Sequence, residues 1–196
     1  MSTLKVDTIL KRTGTGTITV GQSGDTISIP SGATLSVAGS TITAAANTPR
    51  FSVYLDATQA APQNTWTKII FNDEDYDSDS AFDTSNGRFT VPSGKAGVYV
   101  FTFSAQAPDM PNATFVACRL YVNGSDTKTI GGTARYQGWT QNFTAVGSTS
   151  NNNMTGVMQI NLSDGDYVEL YLRQNRGTSA DLEIAHQNFA GYKLIG

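Results

Sequence analysis

Not one Phe, Tyr or Trp occurs before residue 51, whereas the last 146 of the 196 residues hold all nineteen. Aromatic side chains bury the largest apolar areas and dominate cores. The chain therefore divides into a stretch that cannot build a compact core alone and a stretch well supplied to do so. The boundary falls at Asn47-Thr48-Pro49, behind a short neck of Ala44-Ala45-Ala46. Three parts are expected: an attachment segment over 1–15, a repetitive stalk over 16–48 and a head over 49–196.

The stalk repeats a short pattern. Gly16-Thr17-Ile18-Thr19-Val20 is followed by Gly24-Asp25-Thr26-Ile27-Ser28-Ile29, then Gly32-Ala33-Thr34-Leu35-Ser36-Val37, then Gly39-Ser40-Thr41-Ile42-Thr43. Apolar and polar residues alternate between glycines, which predicts very short strands joined by turns. A disordered Gly/Ser/Thr linker is the competing reading, but linkers do not place Ile and Val in register. The apolar positions are Ile18, Val20, Ile27, Ile29, Leu35, Val37 and Ile42. Within one chain, so few aliphatics cannot offset the entropy of ordering the segment, roughly 1–2 kcal/mol per residue. Winding several chains together would bury these side chains fully and pair the strand edges. The simplest such assembly is a homotrimer with the aliphatics on its axis.

The head alternates throughout. Trp66–Phe71, Gly97–Ala105, Phe115–Val122, Met154–Leu162, Tyr167–Arg173 and Phe189–Ile195 all read as strands. Asn123-Gly124 and Asp164-Gly165-Asp166 supply turns. Only 15% of residues are charged, against the usual ~25%, and Thr, Gly and Asn are plentiful where a helical protein would carry Glu, Lys and Leu. No amphipathic helix is found. The fold class is all-β: an antiparallel sandwich or jelly roll of about ten strands.

One block of the head resembles a known family. Trp66–Phe71, then Phe82-Asp83-Thr84-Ser85-Asn86-Gly87-Arg88-Phe89-Thr90-Val91-Pro92, then Gly97-Val98-Tyr99-Val100-Phe101-Thr102-Phe103, is similar to the globular head of complement C1q. Leu120–Gly124, the Leu162–Val168 turn and the Phe189–Ile195 ending match in order. The resemblance covers 51–196 and implies a ten-stranded C1q/tumour-necrosis-factor jelly roll that forms trimers. The front departs from it, because no collagen repeat precedes the head. Instead, Leu4-Lys5-Val6-Asp7-Thr8-Ile9 and the Gly-Asp-Thr-Ile and Pro-Ser-Gly-Ala-Thr repeats resemble short fibre proteins of tailed phages.

Several classes are set aside. No apolar run approaches the ~18 residues of a membrane span, so no membrane insertion is expected. A net charge of −3 argues against nucleic-acid binding. One Cys and one His allow no zinc cluster. Met1–Asp7 lacks the apolar centre of a signal peptide, which suggests synthesis in a host cytoplasm and residence in a virion.

The candidate sites follow from residue type. Asp73, Asp75, Asp77 and Asp79 alternate in an acidic stretch that reads either as a solvated loop or as a set of calcium oxygens, although the spacing fails the EF-hand pattern. Cys118 lies mid-strand and reads as an inert core thiol, with His186 as the one base available to activate it. Tyr136, Trp139, Asn151 and Asn152 combine aromatic and amide groups suited to contacting a host-surface glycan or protein. The opposing reading packs Trp139 and Phe143 into the core or a trimer seam. Leu4, Val6, Ile9 and Leu10, beside Lys5, Lys11 and Arg12, suit docking on another virion protein.

These features describe a non-enzymatic, homotrimeric fibre or spike of a tailed phage, with an outward head. A capsid decoration protein is the first alternative. A cellular C1q-like lectin or ligand is the second, and a signal peptide or collagen repeat would have favoured it.

Overall fold

The computed structural model describes residues 19–28, 30–33, 47–125, 149–183 and 186–194, and the backbone of 129–130, 133–134 and 137–141. It contains two compact units, Met1–Ala44 and Ala45–Gly196.

In the first unit the described residues form two tight turns. Asp25 N donates to Gln22 O at 3.0 Å and Ala33 N donates to Pro30 O at 3.0 Å. Gly24 and Gly32 occupy the third position of these turns with φ of 91° and 85°. Such a turn requires a positive φ there, which glycine adopts without steric cost. Beside these turns, Val20 and Ile27 are 61% and 62% exposed. Ile18, Ile29, Leu35, Val37 and Ile42, together with Leu4, Val6, Ile9 and Leu10, lie outside the described residues.

The second unit is all-β, with fifteen strand segments and no helix among the described residues. One sheet has five strands: β1 (Arg50–Tyr54), β4 (Asp73–Asp77), β7 (Gly97–Pro111), β12 (Thr149–Leu162) and β15 (Asn188–Lys193). Their order is β12-β7-β15-β1-β4. The other has six: β3 (Thr67–Lys68), β5 (Phe82–Asp83), β6 (Arg88–Thr90), β8 (Phe115–Val122), β11 (Gln137–Gln141) and β13 (Tyr167–Gln174). It runs β11-β8-β13-β6-β5, with β3 also on β13. β2 (Gln59–Ala61) pairs with β14 (Ala180–Leu182), and β9 (Thr129–Ile130) with β10 (Thr133–Ala134). The named pairs are antiparallel.

Alternation places the core. On β7, Tyr99, Phe101, Phe103 and Ala105 are buried, and on β13 Val168, Leu170 and Leu172 are 0% exposed. An aromatic cluster joins the two layers: Phe51 stacks on Phe89 at 4.9 Å and meets Phe189 edge-on at 5.2 Å, while Phe101 stacks on Phe189 at 5.7 Å. Gly191 sits under it, where a Cβ would come within 2.7 Å of both Phe101 and Phe51.

The structure corrects the sequence reading in three places. Fifteen strand segments stand among the described residues where about ten strands were expected, the surplus being two- and three-residue segments such as β5, β9, β10 and β14. The Trp66–Phe71 strand shrinks to β3, since the Ile70 N–H donates to the Gln59 side-chain oxygen at 2.9 Å rather than to a neighbouring strand. The acidic stretch expected as a loop is the edge strand β4, paired with β1 across a bulge at Ser52/Val53. Its charges suit an edge, where they discourage pairing with a further chain. The Asn-rich stretch near 150, which reads from sequence as a loop or a strand end, begins β12 and pairs with the end of β7.

Candidate functional site

The outer face of the six-stranded sheet carries its polar chemistry. On β13 the inward residues alternate with Tyr167, Glu169, Tyr171 and Arg173. The register sets Glu169 opposite Tyr121, Tyr171 opposite Arg119 and Arg173 opposite Ala117 on β8. Glu169 is only 2% exposed. Its Oε1 accepts from Lys68 Nζ at 3.1 Å and from Arg88 Nε at 2.9 Å, and Arg88 Nη2 lies 2.9 Å away. A carboxylate buried this way needs such partners, because an unpaired buried charge is strongly destabilising. The hydrogen bond to Glu169 in turn raises the Arg88 guanidinium above its ordinary value. The Tyr171 hydroxyl donates to Glu169 Oε2 at 3.4 Å, and burial, followed by the Glu169 charge, pushes its phenol up to about 12. Rings and cations alternate around this centre. Tyr121 stacks on Tyr171 at 4.0 Å, Arg119 lies 4.2 Å over Trp66, and Arg88 lies 3.9 Å over Tyr167.

The outer face of the five-stranded sheet is different in kind. β12 carries no charged residue, and β7 carries only Asp109 near its end. Val157 is 69% exposed, Tyr192 40% and Val98 39%. The register puts Val157 opposite Thr102, Gln159 opposite Val100 and Tyr192 opposite Val100. The result is a sheet surface of small, uncharged and apolar side chains across β12, β7 and β15.

The four aspartates do not converge. Asp73 Oδ2 accepts from the Tyr54 hydroxyl at 2.9 Å and Asp75 Oδ2 from the Ser52 hydroxyl at 2.9 Å. Asp77 Oδ2 accepts from Phe82 N at 2.7 Å, and Asp79 Oδ2 from the Ser78 hydroxyl at 2.5 Å. Asp73 and Asp77, with Glu74, border a surface cleft of about 360 Å3. Among the described residues no three acids, histidines or cysteines are grouped to hold a metal ion.

The four receptor candidates fare unequally. Asn151 is exposed; its Nδ2 donates to Gln106 Oε1 at 3.2 Å and its Oδ1 accepts from Asp109 N at 3.4 Å. Asn152 is 6% exposed, so it is not a surface contact in this chain. Trp139 stands opposite Ala117 in the backbone register of β11 and β8. Tyr136 lies outside the described residues. Cys118 is fully buried, and burial raises its thiol well above the ordinary range, so it holds no reactive thiolate. His186 Nε2 lies 3.9 Å from Glu183 Oε2 with its side chain 49% exposed.

Sequence reasoning missed the Glu169 cluster. Tyr167-x-Glu169-x-Tyr171-x-Arg173 and Arg119-x-Tyr121 were visible as polar alternates, and a carboxylate flanked by aromatics in a strand was the available signal.

Comparison with known proteins follows the same architecture. The family model described as the C1q domain matches residues 50–194. The globular domain of zebrafish complement 1qA protein superposes with a TM-score of 0.51 at 22% identity, covering 76% of this chain and 98% of that one. Murine APRIL gives a TM-score of 0.51 at 11% identity over 74% of this chain and 98% of that one. Among curated proteins, uncharacterized protein YqcC of Bacillus subtilis (strain 168) is 30% identical over 119 residues, which is 61% of this chain and 30% of the relative. The chain thus spans under a third of that relative's length.

Proposed function

The chain belongs to the C1q domain family through residues 50–194, and on that premise we propose that it is a non-enzymatic structural and recognition protein of a tailed-phage particle, working as a homotrimer. Residues 1–15 dock on another virion protein, 16–48 form the shared stalk, and the head faces outward to bind a host-surface glycan or protein. The observation that carries this reading is the uncharged outer face of β12, β7 and β15, with Val157 at 69% exposure. A surface of that composition is best covered by a copy of itself, as contiguous exposed apolar patches mark interaction sites. Val20 and Ile27 present the same need in the stalk, at 61% and 62% exposure. Cys118 and His186 support no nucleophile, which favours binding over catalysis.

Immunoelectron microscopy of intact particles, with antibody raised against residues 49–196, tests the assignment. Label at the tips of projecting fibres is expected. Label spread over the capsid shell would replace the fibre by a decoration protein, and absence from washed particles would overturn the virion role. Deleting residues 1–15 is expected to leave a folded trimer that no longer joins the particle.

A further inference from the structure

The outer face of the five-stranded sheet carries an exposed cation with no ion-pair partner among the described residues. Arg50 opens β1, faces away from the core because the next residue, Phe51, faces into it, and stands opposite Tyr192 on β15. Its guanidinium lies 5.9 Å from the Tyr76 ring of β4, and Tyr76 and Tyr192 are 49% and 40% exposed. Arg50, Tyr76, Asp77 and Ser78 line a concavity of about 390 Å3. Asp77 does not neutralise the cation: its Oδ2 accepts from Phe82 N at 2.7 Å and its Oδ1 from Asp79 N at 3.3 Å. By contrast, Lys68 and Arg88 share Glu169, and Lys95 lies 3.9 Å from Asp79.

The matching anion stands at the adjoining edge. In the stretch 73–79 each aspartate accepts a hydrogen bond from within the chain. Glu74 is exposed, and its carboxylate has neither a hydrogen bond nor an ion pair among the described residues. It borders the cleft of about 360 Å3. Since β4 is the last strand of its sheet, Glu74 belongs to an edge and Arg50 to a face.

A face and an edge point in different directions. Docking one on the other turns each copy relative to the last and can close a ring, as a heterologous contact in a cyclic assembly must. Arg and Tyr around a concavity are the composition of interface anchors, and complementary charge fixes which patches meet. The apolar surface continues from Tyr192 to Val98 on β7 and Val157 on β12, which suits a protein surface rather than a small anion.

We propose that Arg50 of one copy takes Glu74 of the next, and that this ion pair, flanked by Tyr76 and Tyr192, sets the register in which the copies associate. This rests on the reading of the chain as a homotrimer and adds which edge meets the uncharged face. The contact is made by side chains, so the backbone edge of β4 stays unpaired.

Sedimentation equilibrium of the full chain over a concentration series tests it, with Arg50→Glu, Glu74→Arg and the two combined. Each single substitution is expected to weaken association by about tenfold or more, and the combination, which restores the pair with its signs exchanged, to recover most of that loss. Both positions are exposed, so circular dichroism of each variant should match the parent. Should a reversed charge unfold the chain, Arg50→Gln and Glu74→Gln decide, each expected to weaken association. Undiminished association in either single variant, or a double variant no tighter than the singles, overturns the inference. A parent that assembles as three chains and ignores both substitutions keeps the trimer and hands Arg50 to a foreign partner. A monomeric parent overturns both readings.

Discussion

Asp164 is an exposed carboxylate that organises a whole loop. Its oxygens accept from the backbone N–H groups of Gly94 at 2.7 Å, Lys95 at 3.0 Å and Ala96 at 2.7 Å. These bonds, the one from Gly94 foremost, hold its carboxyl below the usual range. Asp83 behaves alike, held at about 2 first by the Ser85 hydroxyl at 2.6 Å and then by Asn86 Nδ2 at 2.5 Å. Both groups have folded values lowered from the unfolded value of 3.8. Their contribution to stability is therefore fully present above about pH 4 and is lost as pH falls, for Asp83 through about 2. Asp164→Asn is expected to lower the melting temperature at neutral pH. It should also flatten the loss of stability between about pH 4 and 2 relative to the parent. Thermal melts at both pH values check this, and an unchanged acid profile would separate Asp164 from the effect.

Gly191 fixes how closely β15 lies on the aromatic cluster. An added Cβ would sit 2.7 Å from the Phe101 and Phe51 rings, each 0% exposed and held by further rings. Gly191→Ala should therefore cost about 1–3 kcal/mol, as overpacking does, and lower the melting temperature by roughly 2–4 °C per kcal/mol. A melt equal to the parent's would mean that the cluster gives way freely. The long strands β7 and β13 were legible because β-branched and aromatic residues crowd them and their core side chains, Tyr99, Phe101, Phe103 and Ala105 on one and Val168, Leu170 and Leu172 on the other, recur at every second position. β4 was not, since nothing local in Asp-Glu-Asp-Tyr-Asp favours a strand; β1 recruits it through backbone pairing and through the Ser52 and Tyr54 hydroxyls. The start of β12 was hidden in the same way, its amide side chains bonding to Gln106 from a partner strand. The Glu169 cluster lay beyond local patterns altogether, because Lys68 and Arg88 are 101 and 81 residues away in sequence. Only the pairing of β3, β6 and β13 brings them together.

At the scale of the molecule, one chain leaves two kinds of apolar surface without cover. In the C1q domain these are Val157, Tyr192 and Val98 on an uncharged sheet face, and in the N-terminal unit Val20 and Ile27 beside their glycine turns. Such surfaces are removed from water most economically by symmetric association, in which the same face is used by each copy. Val157→Glu places a charge at the most exposed apolar position of that face without touching the core between the sheets. It should weaken assembly while leaving the head folded. Light scattering of the full chain at micromolar concentration tests the trimer most directly. A mass three times the 20.9 kDa of one chain is expected, falling towards one chain in Val157→Glu. A parent protein that runs as a folded 20.9 kDa monomer would contradict it.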